Sequence, residues 1–419
     1  MTFYFQTLGC KLNFAESSAL AKELQERGHQ RTANLERADI CILNTCSVTD
    51  AADHKGRQAI NHIRRLAPEA VLIVTGCYAQ LKANEIASIE GVDYVLGTQE
   101  KFRIAEVIDS LEKKQDSKAE VSLTAMTQMR QFFASYSKDD RTRCFIKVQD
   151  GCDYFCTYCT IPLARGRSRN ASIESTVSLA KKALQEGARE LIITGVNIGD
   201  FGKSTGESFI ELLKALDRLT GDFRIRISSC EPNLLSDEII EFVAQSRHFA
   251  PHFHIPLQSG NNQMLEIMHR RYTRELFQER VEKIRLLMPN AFIGVDCMVG
   301  VRGETAERFQ DYYDFIRSLP VSQLHVFTYS ERANTRMLDM ELEVVPSKER
   351  KHRSEQMHKL SEEKLSAFYS EHKGQKAVVL WESKKEAGNM MSGFTENYIK
   401  QYRPYNKQLI NCFEEVIIS

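Results

Sequence analysis

A chain of 419 residues with 42% hydrophobic and 27% charged residues has an ordinary soluble, globular composition and the length for two or three packed domains. Lysine plus arginine equals aspartate plus glutamate, 56 against 56, which excludes a global field drawing the chain to nucleic acid and leaves any RNA contact to a local basic patch. No stretch approaches the roughly 20 apolar residues of a membrane helix, and the N-terminus lacks the regions of a signal peptide. The expectation is a cytoplasmic protein without a membrane partner, in which eleven cysteines read as metal or redox ligands rather than as disulfides.

The first hundred or so residues alternate strand and helix. FYFQTL (3–8), ADICILNT (38–45), AVLIVTG (70–76) and VDYVLG (92–97) read as strands, the middle two being apolar runs of the kind buried in parallel sheets. Helices are expected over 16–28 and 101–114, and a helix over 53–66 carries His54 and His62 as surface or capping residues. This pattern predicts an α/β fold that begins with a doubly wound parallel domain. Residues 115–142 lack a firm period and read as a linker or an arm.

A second α/β series starts at residue 143. Strands are expected at 144–151, 189–196, 223–229, 251–258, 291–300 and 322–330, with amphipathic helices at 176–187, 209–219 and 273–288. Six strand–helix repeats predict a partial (β/α)6 barrel, open rather than closed. A charged helix follows, and the segments 376–383, 388–403 and 408–419 read as a small antiparallel β module. The expected organisation is 1–114 for the N-terminal α/β domain, 115–142 for the linker or arm, 143–345 for the barrel, 346–372 for the charged helix and 373–419 for the β module.

The chemistry gathers on cysteines. DGCDYFCTYCTIPLARGRSRN (150–170) holds Cys152, Cys156 and Cys159 at C-x3-C-x2-C spacing, which chance would place in a chain of this composition in under about 1% of cases. Structural zinc is a rival, but it takes four ligands and no fourth cysteine or histidine lies between 160 and 175. Three thiolates hold three irons of a four-iron cluster and leave the fourth open to a small molecule. A second set is dispersed. Cys10, Cys46 and Cys77 each follow a predicted strand, where ligands collect at the carboxyl edge of a parallel sheet, and each is preceded by Gly or Thr. Unrelated burial is the alternative for these three; Cys41, mid-strand and apolar-flanked, is what such a core cysteine looks like. Cys144, Cys230, Cys297 and Cys412 show no partner pattern and read as packing residues.

CDYFCTYC resembles the cluster motif of the radical-SAM enzymes, with the aromatic Tyr158 before the last cysteine. That family has a partial (β/α)6 barrel, and the resemblance implies an iron that chelates S-adenosylmethionine (SAM), whose one-electron reduction yields methionine and a 5′-deoxyadenosyl radical. GCKLN, NTCSVT, TGCYAQ, CDYFCTYCTIPLARGRSR, HIPLQSGNNQML and RRYT together resemble the methylthiotransferase branch, whose C-terminal RNA-binding module is called TRAM. NTCSVT, CTIPLARGRSR and FTYSERANT are most similar to the subgroup acting on N6-threonylcarbamoyladenosine in tRNA.

The resemblance implies two [4Fe-4S] clusters, on Cys10/Cys46/Cys77 and Cys152/Cys156/Cys159, and two SAM molecules. One SAM methylates a sulfide on the first cluster, and the radical from the other removes hydrogen from C2 of the modified adenosine beside the tRNA anticodon. An aromatic C–H offers no useful acidity near neutral pH, so no general base is nominated and no catalytic residue beyond the cluster cysteines. The tRNA anticodon stem-loop is the expected partner, with a sulfur source and an electron donor whose identity the sequence leaves open.

By position at the carboxyl mouth of the barrel, Gly195, Asn197, Ser229, Glu231 and Gln258, with Tyr158, are expected to meet SAM. Arg165, Arg167, Arg169, Arg270 and Arg271 are expected to contact RNA phosphate or the threonylcarbamoyl carboxylate, the alternative being a solvated charged face. In the β module, Trp381, Phe394, Tyr398, Tyr402 and Tyr405 lie among Lys384, Lys385, Lys400, Arg403 and Lys407, a pattern suited to stacking on unpaired bases or to a small core with a basic rim. The competing functions are the same chemistry on isopentenyladenosine in tRNA or on a ribosomal-protein aspartate, and a non-catalytic, metal-containing RNA-binding protein.

Overall fold

A computed structural model describes residues 1–111, 119–137 and 142–419. Strands β1 (Thr2–Thr7), β2 (Gln30–Arg31), β3 (Ile40–Thr45), β4 (Val71–Gly76), β5 (Tyr94–Leu96) and β6 (Glu120–Ser122) form one sheet in the order β2-β1-β3-β4-β5-β6, every pair parallel. The helices between them are α1 (Lys11–Glu26), α2 (Asp50–Leu66), α3 (Cys77–Leu81), α4 (Ala83–Ala87) and α5 (Ile104–Asp109). The unbroken apolar run of β3 follows from burial on both faces. Ile40 and Ile42 pack with Leu20 and Leu24 of α1, while Cys41 and Leu43 pack with Ile60 and Ile63 of α2.

The stretch expected as a linker or arm contributes strands. β6 adds a sixth strand to the first sheet, and β7 (Ser135–Tyr136) pairs antiparallel with the first barrel strand. Such short pairings satisfy backbone groups at sheet edges and need no side-chain period, which is why the sequence pattern misses them. The boundary expected at 114/115 lies outside the described residues, as do 115–118 and 138–141 of the expected arm.

The barrel strands are β8 (Arg143–Lys147), β11 (Glu190–Thr194), β12 (Arg224–Ile227), β13 (His252–Gln258), β14 (Phe292–Val299) and β15 (Gln323–Thr328); between β8 and β11 the short strands β9 (Gln149–Asp150) and β10 (Arg169–Asn170) pair with each other. β8, β11 and β12 are parallel neighbours, as are β13, β14 and β15, and the bridges Ile225–Phe249 and Ser229–His254 join the two groups into an open wall. Helices α6 (Ile161–Arg165), α7 (Ile173–Gln185), α8 (Phe209–Asp217), α9 (Asp237–Gln245), α10 (Asn262–Ile267), α11 (Arg274–Leu287) and α12 (Ala306–Ser318) connect them.

Strand alternation sorts the side chains. Ile146, Leu191, Ile193, Ile225, Ile227, Phe253, Ile255, Val295 and Cys297 join the helices in one large core. The intervening positions face the barrel interior, and many are charged or polar: Lys147, Glu190, Arg226, His254, Asp296 and His325. Helix α1 lies against the open side, where Phe14 and Ala15 pack on Phe145 and Ile192.

α13 (Ser347–His372) leads into an antiparallel sheet of β16 (Lys376–Glu386), β17 (Met390–Phe394), β18 (Lys400–Pro404) and β19 (Phe413–Ile417), in the order β18-β17-β16-β19. The turn after β17 covers the beginnings of the barrel strands. Arg226 donates to the carbonyls of Thr395 and Glu396, both at 2.7 Å, and Tyr398 packs on His252 and Phe292. Among the described residues no helix is long and apolar enough to cross a membrane.

Candidate functional site

β1, β3 and β4 are neighbours in the sheet, so Cys10, Cys46 and Cys77 emerge side by side at one edge. Cys10 caps the N-terminus of α1 and Cys77 begins α3. Gly9 and Gly76 precede them at φ +103° and +99°, and a side chain at either would collide with Cys46 or with the Thr45 backbone. Asn13 fixes the corner by donating to the carbonyls of Leu8 (2.8 Å) and Thr45 (3.0 Å). Burial pushes the Cys46 thiol up to about 12, and Cys77 and Cys10 are near enough to add to that shift.

Cys152, Cys156 and Cys159 sit on the loop that the β9–β10 pair closes, at the carboxyl end of β8. Gly151 takes φ +71° beneath the Arg167 carbonyl, where a Cβ has no room. The Thr157 backbone bonds to Met268 and Met337, tying the loop to the far side of the barrel mouth. Arg270 donates to the Cys156 sulfur at 3.0 Å and to the Tyr158 hydroxyl at 3.4 Å, and it ion-pairs with Glu231. Burial holds the Glu231 carboxyl above its ordinary range, with Arg270 pulling the other way.

The two sets of cysteines share one interface. Thr160, next to Cys159, contacts the carbonyl of Ser47, next to Cys46, at 3.4 Å. Thr98 donates to the Ala164 carbonyl at 2.7 Å, and Arg332, just past β15, reaches Ser47, Asp50 and Asp53. Beneath lies a buried network in which Glu16 pairs with Lys101 (2.7 Å), Lys147 (2.7 Å) and Arg165 (3.1 Å), and Asp150 with Lys147 (2.8 Å), Arg165 (3.0 Å) and Arg169 (3.1 Å). Four cations against two carboxylates leave this network with surplus positive charge on the side where Cys77 and Cys10 feel Arg165.

Several expected site residues are placed differently. Arg165 and Arg169 are 2% and 6% exposed and serve Glu16 and Asp150, so they are not displayed to a substrate. Helix α6 packs against α3, and Arg165 at its end reaches Glu16 of α1 and Asp150 of β9. Arg167 is exposed over the Phe155 ring, and Arg271 lies over Tyr154, donating to the Asp153 carbonyl. Trp381 is buried, and Phe394 stacks on Tyr398 at the barrel base, whereas Tyr402 stays exposed beside Lys400.

Other expectations lie at the mouth. Gly195 packs against Gln149, whose Oε1 accepts the Val196 and Asn197 amides and whose Nε2 donates to the Gly151 carbonyl. Asn197 is buried, and its Oδ1 has no hydrogen-bond partner in the structure. Ser229 bridges to His254, and Gln258 takes φ +65° at a register shift that ends β13, the sort of rim irregularity that re-aims a side chain.

Sequence reasoning missed Lys11 and the interior groups. His254 meets Asp296 at 2.6 Å, with the His325 ring 5.0 Å from that of His254. Burial works against the Asp296 carboxylate, yet His254 and His325 hold it below its ordinary range. Lys11 feels this interior: burial and Arg143 lower it to about 8, against the pull of Asp296. Period-two charge within the strands was the available signal. Among the described residues, no three His, Cys, Asp or Glu side chains gather around a point for a single metal ion.

Residues 2–97 match the model of uncharacterized protein family UPF0004, and residues 146–316 match the radical SAM superfamily. The chain is 37% identical over 407 residues to a threonylcarbamoyladenosine tRNA methylthiotransferase MtaB of Bacillus subtilis, covering 95% of this chain and 89% of the relative. With the MtaB of Aquifex aeolicus it is 33% identical over 98% of both. A tRNA-2-methylthio-N(6)-dimethylallyladenosine synthase of Desulforamulus reducens is 33% identical, over 80% of this chain and 74% of the relative. Among solved structures, the radical S-adenosylmethionine methyltransferase TsrM of Kitasatospora setae shares the fold at TM-score 0.57 and 15% identity, covering 78% of this chain and 72% of that one.

Proposed function

Because this chain belongs to the radical-SAM tRNA methylthiotransferases, enzymes that use SAM and a [4Fe-4S] cluster, we propose that it methylthiolates C2 of N6-threonylcarbamoyladenosine beside the tRNA anticodon, with two clusters and two SAM molecules. The observation that carries this reading is the shared interface of Cys10, Cys46 and Cys77 with the loop of Cys152, Cys156 and Cys159, joined through Ser47–Thr160. Each set supplies three thiols, which suits a cubane with one open iron. When bound, the two clusters supply reductive cleavage of SAM on one side and the sulfur on the other.

The remaining roles fall to the chain's own groups. Asn197 offers a buried, unpartnered amide oxygen to a donor of SAM, which fits an amino group or a ribose hydroxyl. Gly195 and Gln149 keep that loop against the cysteine loop, while Ser229, Glu231 and Gln258 line the same mouth. Arg270 hydrogen-bonds Cys156 and Tyr158 and so fixes the cluster side of the pocket. The surplus positive charge around Glu16 and Asp150 favours an anionic group on Cys10, Cys46 and Cys77.

Mass spectrometry of tRNA nucleosides from cells lacking the protein tests the assignment. The methylthio form of threonylcarbamoyladenosine is expected to vanish while the unmethylthiolated form accumulates. Loss of methylthio-isopentenyladenosine instead, or of the modification on a ribosomal-protein aspartate, would move the activity to that target.

A further inference from the structure

A threonylcarbamoyl group carries a carboxylate, and the five arginines expected to receive it are otherwise engaged or placed. Arg165 and Arg169 serve buried carboxylates, Arg270 is held by Glu231 and Cys156, and Arg167 and Arg271 lie outside over Phe155 and Tyr154. Arg332 is bound to Asp50 and Asp53.

Lys11 is different. It is the first residue of α1, directly after Cys10, and three and four residues further along the same face lie Phe14 and Ala15, which pack on the interior-facing Phe145 and Ile192. That face turns the lysine into the open side of the barrel, where the charges acting on it come from Arg143, Asp296, Arg226 and Glu190. Both carboxylates already have partners: Asp296 pairs with His254, and Glu190 with Arg224 and Arg226. Among the described residues Lys11 itself has no ion pair. A cation next to one cysteine set, pointing into a polar interior whose anions are satisfied, is suited to an anion that arrives with the substrate.

Resting on the proposed tRNA substrate, we propose that Lys11 binds the carboxylate of the adenosine's N6 substituent and so selects an acidic substituent over a neutral one. A charge-assisted contact of this kind is expected to change kcat/KM by about 10- to 150-fold.

The test uses reconstituted full-length enzyme and two anticodon stem-loop RNAs, one bearing threonylcarbamoyladenosine and the other its carboxylate methyl ester, with methylthiolated product read by mass spectrometry. Wild-type enzyme is expected to prefer the acid, Lys11→Gln to lose that preference by lowering kcat/KM for the acid alone, and Lys11→Arg to restore it. Iron content measured on each variant separates substrate selection from loss of a cluster, and Lys11→Arg serves if Lys11→Gln loads poorly. Equal turnover of acid and ester by wild type, or an equal fall for both RNAs in Lys11→Gln of wild-type iron content, overturns the proposal. So does failure of Lys11→Arg to favour the acid. Wild-type enzyme inactive on both RNAs but active on isopentenyladenosine RNA refutes the substrate reading itself, and Lys11 with it.

Discussion

The two sets of cysteines are built in opposite ways. Cys152, Cys156 and Cys159 ride on one loop closed by the β9–β10 pair, so their spacing is set within one short segment, which Thr157 and Arg270 then tie to the rest of the barrel mouth. Cys10, Cys46 and Cys77 depend on three strands being neighbours, on glycines at two corners and on a buried charge network that includes groups from the barrel. The spacing of the loop set is held within one segment of chain, whereas the spacing of the dispersed set rests on the order of three strands.

The largest expected effect separates the chemistry of the two sets. Replacing Cys152, Cys156 and Cys159 together with Ala is expected to abolish both SAM cleavage and methylthiolation. The same change at Cys10, Cys46 and Cys77 abolishes methylthiolation but leaves SAM cleavage, measured as 5′-deoxyadenosine by chromatography. Loss of cleavage in the second variant would remove the distinction.

Glu16→Gln probes the network. It leaves Lys101 without its carboxylate, and Lys147 and Arg165 without one of the two they share, and is expected to cost about 3–5 kcal/mol of stability, read by urea unfolding. The sign with pH follows from the direction of the shifts. Arg165 and the lysines hold Glu16 well below its ordinary range against the cost of burial, and Asp150 is likewise depressed. Their contribution is therefore present above the ordinary carboxylate range and is lost as pH falls through the depressed values. The acid sensitivity of wild type should exceed that of Glu16→Gln.

Gly76→Ala sharpens the contrast at one atom. A Cβ there meets the Thr45 backbone at a φ of +99°, a strain of about 1–3 kcal/mol, and iron is expected to be lost from the dispersed set alone. Gly151→Ala should do the converse. The smallest effect belongs to the C-terminal sheet: Tyr402→Ala is expected to weaken stem-loop RNA binding by about 1 kcal/mol in a filter-binding assay, with SAM cleavage unchanged.

How much of this the sequence disclosed depends on how local each feature is. C-x3-C-x2-C spacing and the six strand–helix repeats are readable because neighbours in sequence make them. The dispersed set was legible as three strand ends, but their adjacency belongs to the sheet order. Arg165 was misjudged because its partner Glu16 is 149 residues away, and a charge run does not say which side of a short helix is buried. Lys147, Arg226, His254 and Asp296 lie in segments that were read as strands without a facing being assigned to their residues. Their alternation with outward-facing Ile146, Ile225, Ile255 and Val295 is the trace of a polar interior.

Iron content of the anaerobically reconstituted protein is the most direct test that both sets hold clusters. The account predicts about eight irons per chain in wild type and about four in either triple-Ala variant. About four irons in wild type, unchanged when Cys10, Cys46 and Cys77 are replaced, or zinc in place of iron, would contradict it.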